Sequence, residues 1–127
     1  MRHQATPIDL CILIRHQPYG SICAAEGIRH LAGALSCGFA TTVVLVDDGV
    51  WVAKAGQEAG HSGWTSLSEA LAGALRPTAG GPLVVLAEVA ALARAGLTTD
   101  DLIPGVTAAG PEAIARAVAQ ARHVMLF

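Results

Sequence analysis

Short apolar runs alternate with longer stretches of helical periodicity along most of the chain. The segments at about 8–14, 41–47 and 83–86 are rich in Ile, Leu and Val, as is typical of strands buried on both faces of a parallel sheet. Runs near 103–107 and 124–127 predict two more strands. Strand and helix alternate, so the pattern predicts one α/β domain over 1–127. The expected architecture is a three-layer α/β/α sandwich with a mainly parallel sheet of about five strands.

Four helices are predicted between these strands. The first spans about 21–36, with Ser21 as its N-cap and Gly38 beyond its end. Its predicted apolar face comprises Ile22, Ala25, Ile28, Leu31, Ala32 and Leu35. The other helices cover about 65–75, 88–95 and 111–121. A short extended piece at 50–52 and a turn at 100–102, capped by Thr98 or Thr99, fill two connections.

The composition changes this picture in one respect. Hydrophobic residues make up 53% of the chain and charged residues 14%, whereas about a quarter of an ordinary domain is charged. Too few charges remain to cover a small monomer, so we expect apolar surface to meet another subunit. The net charge of −2 gives no electrostatic reason to expect nucleic acid or an anionic membrane as a partner.

The three cysteines, Cys11, Cys23 and Cys37, are an odd number with no pairing pattern. They indicate a reducing compartment rather than a disulfide scaffold. We find no signal-type apolar region before the first strand and no apolar stretch approaching the ~20 residues of a membrane helix. The expectation is a cytoplasmic protein.

Candidate functional residues follow the predicted strands, because ligands of parallel sheets bind beyond the carboxyl ends of the strands. The candidate crevice comprises Arg15, His16, Tyr19, Gly20, Ser21, Asp48 and Glu88. Gly20 and Ser21 open the first helix, where backbone N–H groups favour an anion, and Arg15 and His16 could add positive charge. Cys23 lies in the same first turn, where the helix dipole favours a thiolate.

Each of these residues also has a purely structural interpretation. Ser21 serves as a cap, and Cys23 as a small packed side chain. Asp47-Asp48-Gly49 has the composition of a turn, and Glu88 complements a helix dipole. Trp51 and Trp64 flank a glycine-rich loop and are expected to anchor it or to contact a subunit. The histidines form no metal-binding pattern, so we expect neither a metal nor a cofactor.

Several short motifs follow one another in a specific order. They are Pro18-Tyr19-Gly20-Ser21, Ala25-Glu26-Gly27-Ile28, Val46-Asp47-Asp48-Gly49-Val50 with Gln57, Leu92-Ala93-Arg94-Ala95-Gly96-Leu97 with Thr99-Asp100-Asp101-Leu102, and the terminal Val124-Met125-Leu126-Phe127. Their order resembles the DsrE/DsrF-like family of sulfur-relay proteins, in particular its DsrF/TusC branch. They span nearly the whole chain. The resemblance implies a small domain with a parallel sheet that assembles into trimers or hexamers, as a homo-oligomer or with related DsrE/DsrH-like subunits.

The resemblance also bears on chemistry. Sulfur-carrying members pass persulfide sulfur between cysteines, and in the DsrE/TusD branch the carrier cysteine follows strand three, eight residues before the glycine that ends the next helix. Counting back from Gly96 places Glu88 at that position. The chain therefore lacks the carrier cysteine, and the resemblance implies a non-catalytic subunit or binding component in sulfur handling.

Two alternatives remain open from the sequence. One is a thiol or persulfide carrier that uses Cys23, with His16 or Arg15 stabilising its thiolate. The other is a small-molecule or anion-binding module without sulfur chemistry, which needs a formed pocket beside Ser21 and Asp48.

Overall fold

The computed structural model describes residues 7–58 and 66–127, and these residues form one five-stranded parallel sheet with helices on both faces. The strands are β1 (Ile8–Ile14), β2 (Thr41–Leu45), β3 (Leu83–Glu88), β4 (Val106–Ala109) and β5 (Ala121–Leu126). Their spatial order is β4-β3-β2-β1-β5. The three-layer α/β/α fold expected from the sequence is confirmed.

Four α-helices connect the strands: α1 (Cys23–Ser36), α2 (Leu67–Ala74), α3 (Val89–Ala95) and α4 (Pro111–Gln120). Short 3-10 helices lie at Asp47–Ala53, Pro77–Ala79 and Thr99–Asp101. The chain moves along the sheet in one direction from β1 to β4 and then returns to β5. Because such crossovers are right-handed, α1, α2 and α3 cover one face and α4 covers the other.

The hydrophobic core lies on the face covered by α1, α2 and α3. Ile12 and Ile14 of β1 and Val43 of β2 point into it and are fully buried. Leu31 of α1 and Leu71 of α2 meet them from the helical layer. Since this cluster also contains the 3-10 helix after β2, the segment beyond the end of the sheet is fixed by core packing.

The opposite face is covered less completely. The pairing of Cys11 with both Thr42 and Val124, and of Thr42 with Val84, places these side chains in one row on the face of α4. Val84 is 50% exposed, and Leu126 of the edge strand β5 is 66% exposed. No residue of α4 is buried. This face therefore presents apolar side chains to solvent.

The start of α1 differs from the sequence prediction. The helix begins at Cys23 rather than Ser21, and Ile22 occupies the N-cap position. Ser21 precedes the cap, and its Oγ accepts a hydrogen bond of 3.1 Å from the Cys23 N–H. The hydroxyl holds the turn before the helix and does not cap it.

The predicted apolar face of α1 is only half right. Its buried residues are Ala24, Gly27, Ile28, Leu31, Ala34 and Leu35, whereas Ile22, Ala25 and Ala32 are exposed. The reason is Gly27, which a count of apolar side chains ignores. A Cβ at Gly27 would lie 3.0 Å from the Ile14 side chain, so the helix turns its smallest residue toward the sheet.

Other predicted elements also have different ends or a different type, and the strand predicted at 41–47 ends at Leu45. The piece at 50–52 is not extended but part of the 3-10 helix Asp47–Ala53, because the left-handed turn at Asp47 redirects the chain after β2. The helix predicted at 88–95 begins at Val89, because Glu88 pairs with Ala109 as the last residue of β3 and occupies the N-cap position of α3. The fourth strand is Val106–Ala109, because Ile103 packs in the core while its N–H donates to the Ala53 carbonyl.

The last strand begins at Ala121, immediately after α4, and not at 124. Arg122 and His123 are polar because they lie in an exposed edge strand. An apolar pattern therefore does not indicate the first residues of this strand. The predicted second helix is α2, and its predicted start at 65 lies outside the described residues.

Candidate functional site

The candidate site lies where β1, β2 and β3 end at the same edge of the sheet. The 3-10 helix after β2 crosses the end of β1, and the Val46 N–H donates to the Ile14 carbonyl at 3.0 Å. Gly49 makes this approach possible, since a Cβ there would lie 2.0 Å from the Ile14 oxygen. The backbone beyond the strands is therefore closely packed.

A group of charged side chains, here called the charged corner, consists of Asp47, Glu88 and Arg94. Asp47 has a φ of 50°, a left-handed conformation that is uncommon outside glycine. Its backbone N–H donates to Glu88 Oε1 at 3.2 Å. Arg94 Nη2 lies 3.4 Å from Asp47 Oδ1 and 3.8 Å from Glu88 Oε1. Glu88 thus joins the end of β3 to the turn after β2 and to α3.

The charged corner borders a depression of about 480 Å³ lined by Asp47, Asp48, Trp51, Ala91, Arg94 and Ala95. Asp47 and Arg94 are both more than half exposed, so their ion pair is screened by solvent and contributes little stability. The Glu88 carboxylate is 28% exposed, and its hydrogen bond to a backbone N–H is charge-assisted. It is the best anchored member of the group.

A second depression, here called the aromatic groove, lies on the other side of Trp51. It has a volume of about 450 Å³ and is lined by Gln17, Pro18, Tyr19, Trp51, Lys54 and Gln57. Its walls come from the segment after β1 and from the 3-10 helix after β2. Trp51 therefore separates the depression beside the charged corner from the mainly apolar aromatic groove.

The residues predicted after β1 do not share one environment. Tyr19 lines the aromatic groove, whereas Ser21 and Cys23 line neither depression. Arg15 is exposed, and its backbone N–H donates to the Phe127 carbonyl. Gly20 has a φ of 86°, which explains a glycine in this turn.

His16 is half-buried. Its Nδ1 is shielded from solvent and has no hydrogen-bond partner within the described ranges.

Asp48 and Glu88 are brought near each other through Asp47, at the same corner of the sheet. Asp48 lines the depression beside the charged corner, whereas Ser21 and Cys23 line neither depression, so the grouping of Ser21 and Cys23 with the carboxylates stays a prediction. The sequence pattern predicts no functional role for Arg94, Lys54 or Gln57, which line these depressions. Lys54 is the chain's one lysine, which is a signal that could have drawn attention to it.

The three cysteines are free thiols in different surroundings. Cys11 is fully buried, and burial raises the pKa of its thiol to about 11. It is therefore protonated at neutral pH and a poor nucleophile. Cys23 is half-buried as the first residue of α1, and Cys37 is exposed at the end of that helix.

Within residues 7–58 and 66–127, no three side chains of His, Cys, Asp or Glu come together as a metal-binding set. None of the helices described there has the length and apolar character needed to cross a bilayer.

The chain matches the family model described as "DsrE/DsrF-like family" over residues 9–127 and belongs to that family. Its fold is similar to that of the YchN protein from E. coli, known from a crystal structure. The two share 20% sequence identity with a TM-score of 0.82, and the match covers 94% of this chain and 99% of YchN. A search of curated proteins found no match. Family membership connects the protein with sulfur-relay processes.

Proposed function

We propose that the protein is a non-catalytic subunit or binding component of cytoplasmic sulfur handling, as part of the DsrF/TusC branch of its family. The observation that carries this proposal is the environment of Glu88. This residue ends β3, at the position that the family resemblance assigns to a sulfur-carrying cysteine. Here a carboxylate occupies it and is held by the Asp47 N–H and near Arg94.

The chemistry of the two groups differs decisively. A cysteine thiolate attacks the outer sulfur of a donor persulfide, breaks the donor S–S bond with release of the donor thiolate, and retains that sulfur as its own persulfide, whereas a carboxylate cannot form an equivalent stable adduct. Glu88 instead joins β3, the turn after β2 and α3. We propose that the residue at this position supports the structure and does not transfer sulfur.

Persulfide loading tests this proposal. We would incubate a Cys37→Ser variant, which removes the exposed thiol, with a low-molecular-weight persulfide donor and measure the intact mass. We expect no added sulfur, because Cys11 is buried, Glu88 cannot be loaded, and the proposal gives Cys23 no carrier role. Alkylation of the denatured protein verifies that the remaining thiols were reduced at the outset.

The alternative is a carrier that uses Cys23, which is half-buried at the first residue of α1. An added sulfur that disappears in the Cys23→Ser, Cys37→Ser double variant would establish this alternative and overturn the proposal.

A gain-of-function variant tests the site itself. Glu88→Cys in the Cys37→Ser background places a thiol near Arg94, whose positive charge favours the thiolate. We expect this variant to take up one sulfur faster than a matched Asp100→Cys variant, where the replaced carboxylate is exposed and outside the charged corner. Equal rates would show that position 88 has no special suitability for sulfur.

We further propose that the protein acts as an oligomer, a trimer or hexamer of its own chain or with related DsrE/DsrH-like subunits. Support comes from the partly uncovered apolar face of the sheet, where Val84, Val124 and Leu126 are exposed. Light scattering of the purified protein should give a mass well above 12.9 kDa. A monomer at micromolar concentration would contradict the homo-oligomer.

A further inference from the structure

The aromatic groove combines two partly exposed rings with a single positive charge. Tyr19 is 50% exposed and Trp51 is half-buried, and both line the groove together with Pro18. Partly exposed large rings in one groove form a surface on which a planar ring can stack. The volume of about 450 Å³ lies within the range of small-molecule sites.

The groove is built on a rigid support. Trp51 belongs to the 3-10 helix in which Val50, Val52 and Ala53 are fully buried. The Gln57 side-chain amide donates to the Trp51 carbonyl at 2.7 Å and to the Lys54 carbonyl at 2.8 Å. Since these bonds hold the wall in place before any ligand arrives, little ordering is required on binding.

The backbone of Lys54 is fixed as well, through an antiparallel bridge to Leu102. Its ammonium donates to the Ala55 carbonyl at 3.0 Å and has two further protons to offer. Among the described residues, no carboxylate lies within ion-pair distance of this ammonium. The depression on the other side of Trp51 is lined by Asp47 and Asp48 together with Arg94, whereas Lys54 is the charged residue in the lining of the groove.

We propose that the aromatic groove binds a small planar aromatic anion. The ring stacks on Tyr19 and Trp51, and the anionic group accepts hydrogen bonds from the Lys54 ammonium. The acidic side chains beyond Trp51 disfavour ligands whose negative charge extends past that ring. This binding activity is independent of Glu88 and of any sulfur chemistry.

Three probes separate the two halves of the expected ligand. AMP contains a planar ring and an anion, adenosine contains the ring without the anion, and ribose 5-phosphate contains the anion without the ring. In a Trp64→Phe variant, Trp51 is the sole tryptophan, so its fluorescence reports binding in either depression beside it, and the substitutions below assign the binding to the groove. We expect saturable binding of AMP, binding of adenosine weaker by about fivefold, and the weakest binding by ribose 5-phosphate.

Substitutions assign the contacts. Lys54→Met should reduce the affinity for AMP to that for adenosine, while Tyr19→Ala should weaken both ligands. Arg76→Met removes the same charge from an exposed residue outside the groove and should leave both affinities unchanged. Far-ultraviolet circular dichroism verifies that each variant is folded, and a calorimetric titration confirms the affinities without relying on fluorescence.

Several results would overturn the inference. One is the absence of AMP binding by the folded protein. Another is ribose 5-phosphate binding as tightly as AMP, which would indicate an anion site without stacking. Equal losses of AMP affinity in Lys54→Met and Arg76→Met would indicate general electrostatic attraction. Tighter binding of the aromatic cation phenylethylamine than of AMP would assign the groove to positively charged ligands. None of these results bears on the persulfide experiment.

Discussion

At the scale of single residues, the candidate site depends on a glycine rather than on a reactive side chain. Gly49 lets the segment after β2 pass over the end of β1, and this passage places Asp47 and Trp51 beyond the sheet. An added Cβ would meet the backbone oxygen of Ile14 at 2.0 Å. A backbone oxygen within a strand cannot move aside as the end of a side chain can, so the cost falls on the fold.

Gly49→Ala is therefore expected to reduce the free energy of unfolding by about 3 kcal/mol or more. Gly33→Ala is the matched control, because a Cβ at Gly33 within α1 meets nothing within 4 Å. That control should be neutral or stabilising by up to about 1 kcal/mol, as expected for alanine in a helix. Urea unfolding followed by circular dichroism measures both. Equal stabilities of the two variants would contradict the close approach at Gly49.

At the scale of secondary-structure elements, the α-helices begin in different ways. Among α1 to α4, which lie in the described residues, only α2 has an N-cap side chain that accepts a hydrogen bond, since Ser66 Oγ accepts from the Glu69 N–H at 3.2 Å. With eight residues, α2 is too short to persist without such support. Its Leu71 is fully buried against the core, so the cap and the packing reinforce each other.

Ser66→Ala should lower the free energy of unfolding by about 1 kcal/mol, because it leaves the Glu69 N–H without its acceptor. The same substitution at Ser36, the exposed last residue of α1, should change stability by less than about 0.5 kcal/mol. The difference in urea midpoint between the two variants is the relevant measurement. A Ser66→Ala protein as stable as the Ser36→Ala protein would mean that the cap contributes nothing.

At the scale of the whole molecule, the two faces of the sheet are covered unequally. Within the part of the chain that the structure describes, α1, α2, α3 and the 3-10 helix after β2 cover one face, while α4 lies on the other and leaves Val84, Val124 and Leu126 exposed. A second subunit that covered this face would remove apolar surface from water. The proposed oligomer is therefore expected to use it.

Leu126→Glu introduces a charge at the most exposed apolar residue of this face and should shift the protein toward the monomer. Ile22→Glu is the control, because Ile22 is 76% exposed at the start of α1 and lies away from the sheet. Size-exclusion chromatography with light scattering should give the wild-type mass for the control and a smaller mass for Leu126→Glu. Identical masses for both variants would exclude this face from the interface.

The sequence by itself determined the α/β class, the parallel sheet and the approximate position of every strand. Apolar runs such as Leu10–Ile14 and Val43–Leu45 can be buried on both faces only in a covered parallel sheet. Gly38 and Pro111 marked helix boundaries because their backbone restrictions are local. The motif order also indicated the family, which the match over 9–127 confirms.

Tertiary structure alone decided the grouping of the site residues. Asp47, Glu88 and Arg94 are distant in sequence and meet because three strands end at one edge. Tyr19 and Lys54 face one groove because Gly49 lets the 3-10 helix cross β1, and no local pattern encodes that passage. The buried face of α1 likewise followed the packing of Gly27 against Ile14 and not the spacing of apolar side chains. Local restrictions are set by neighbours along the chain, whereas a site is set by which elements the fold brings together.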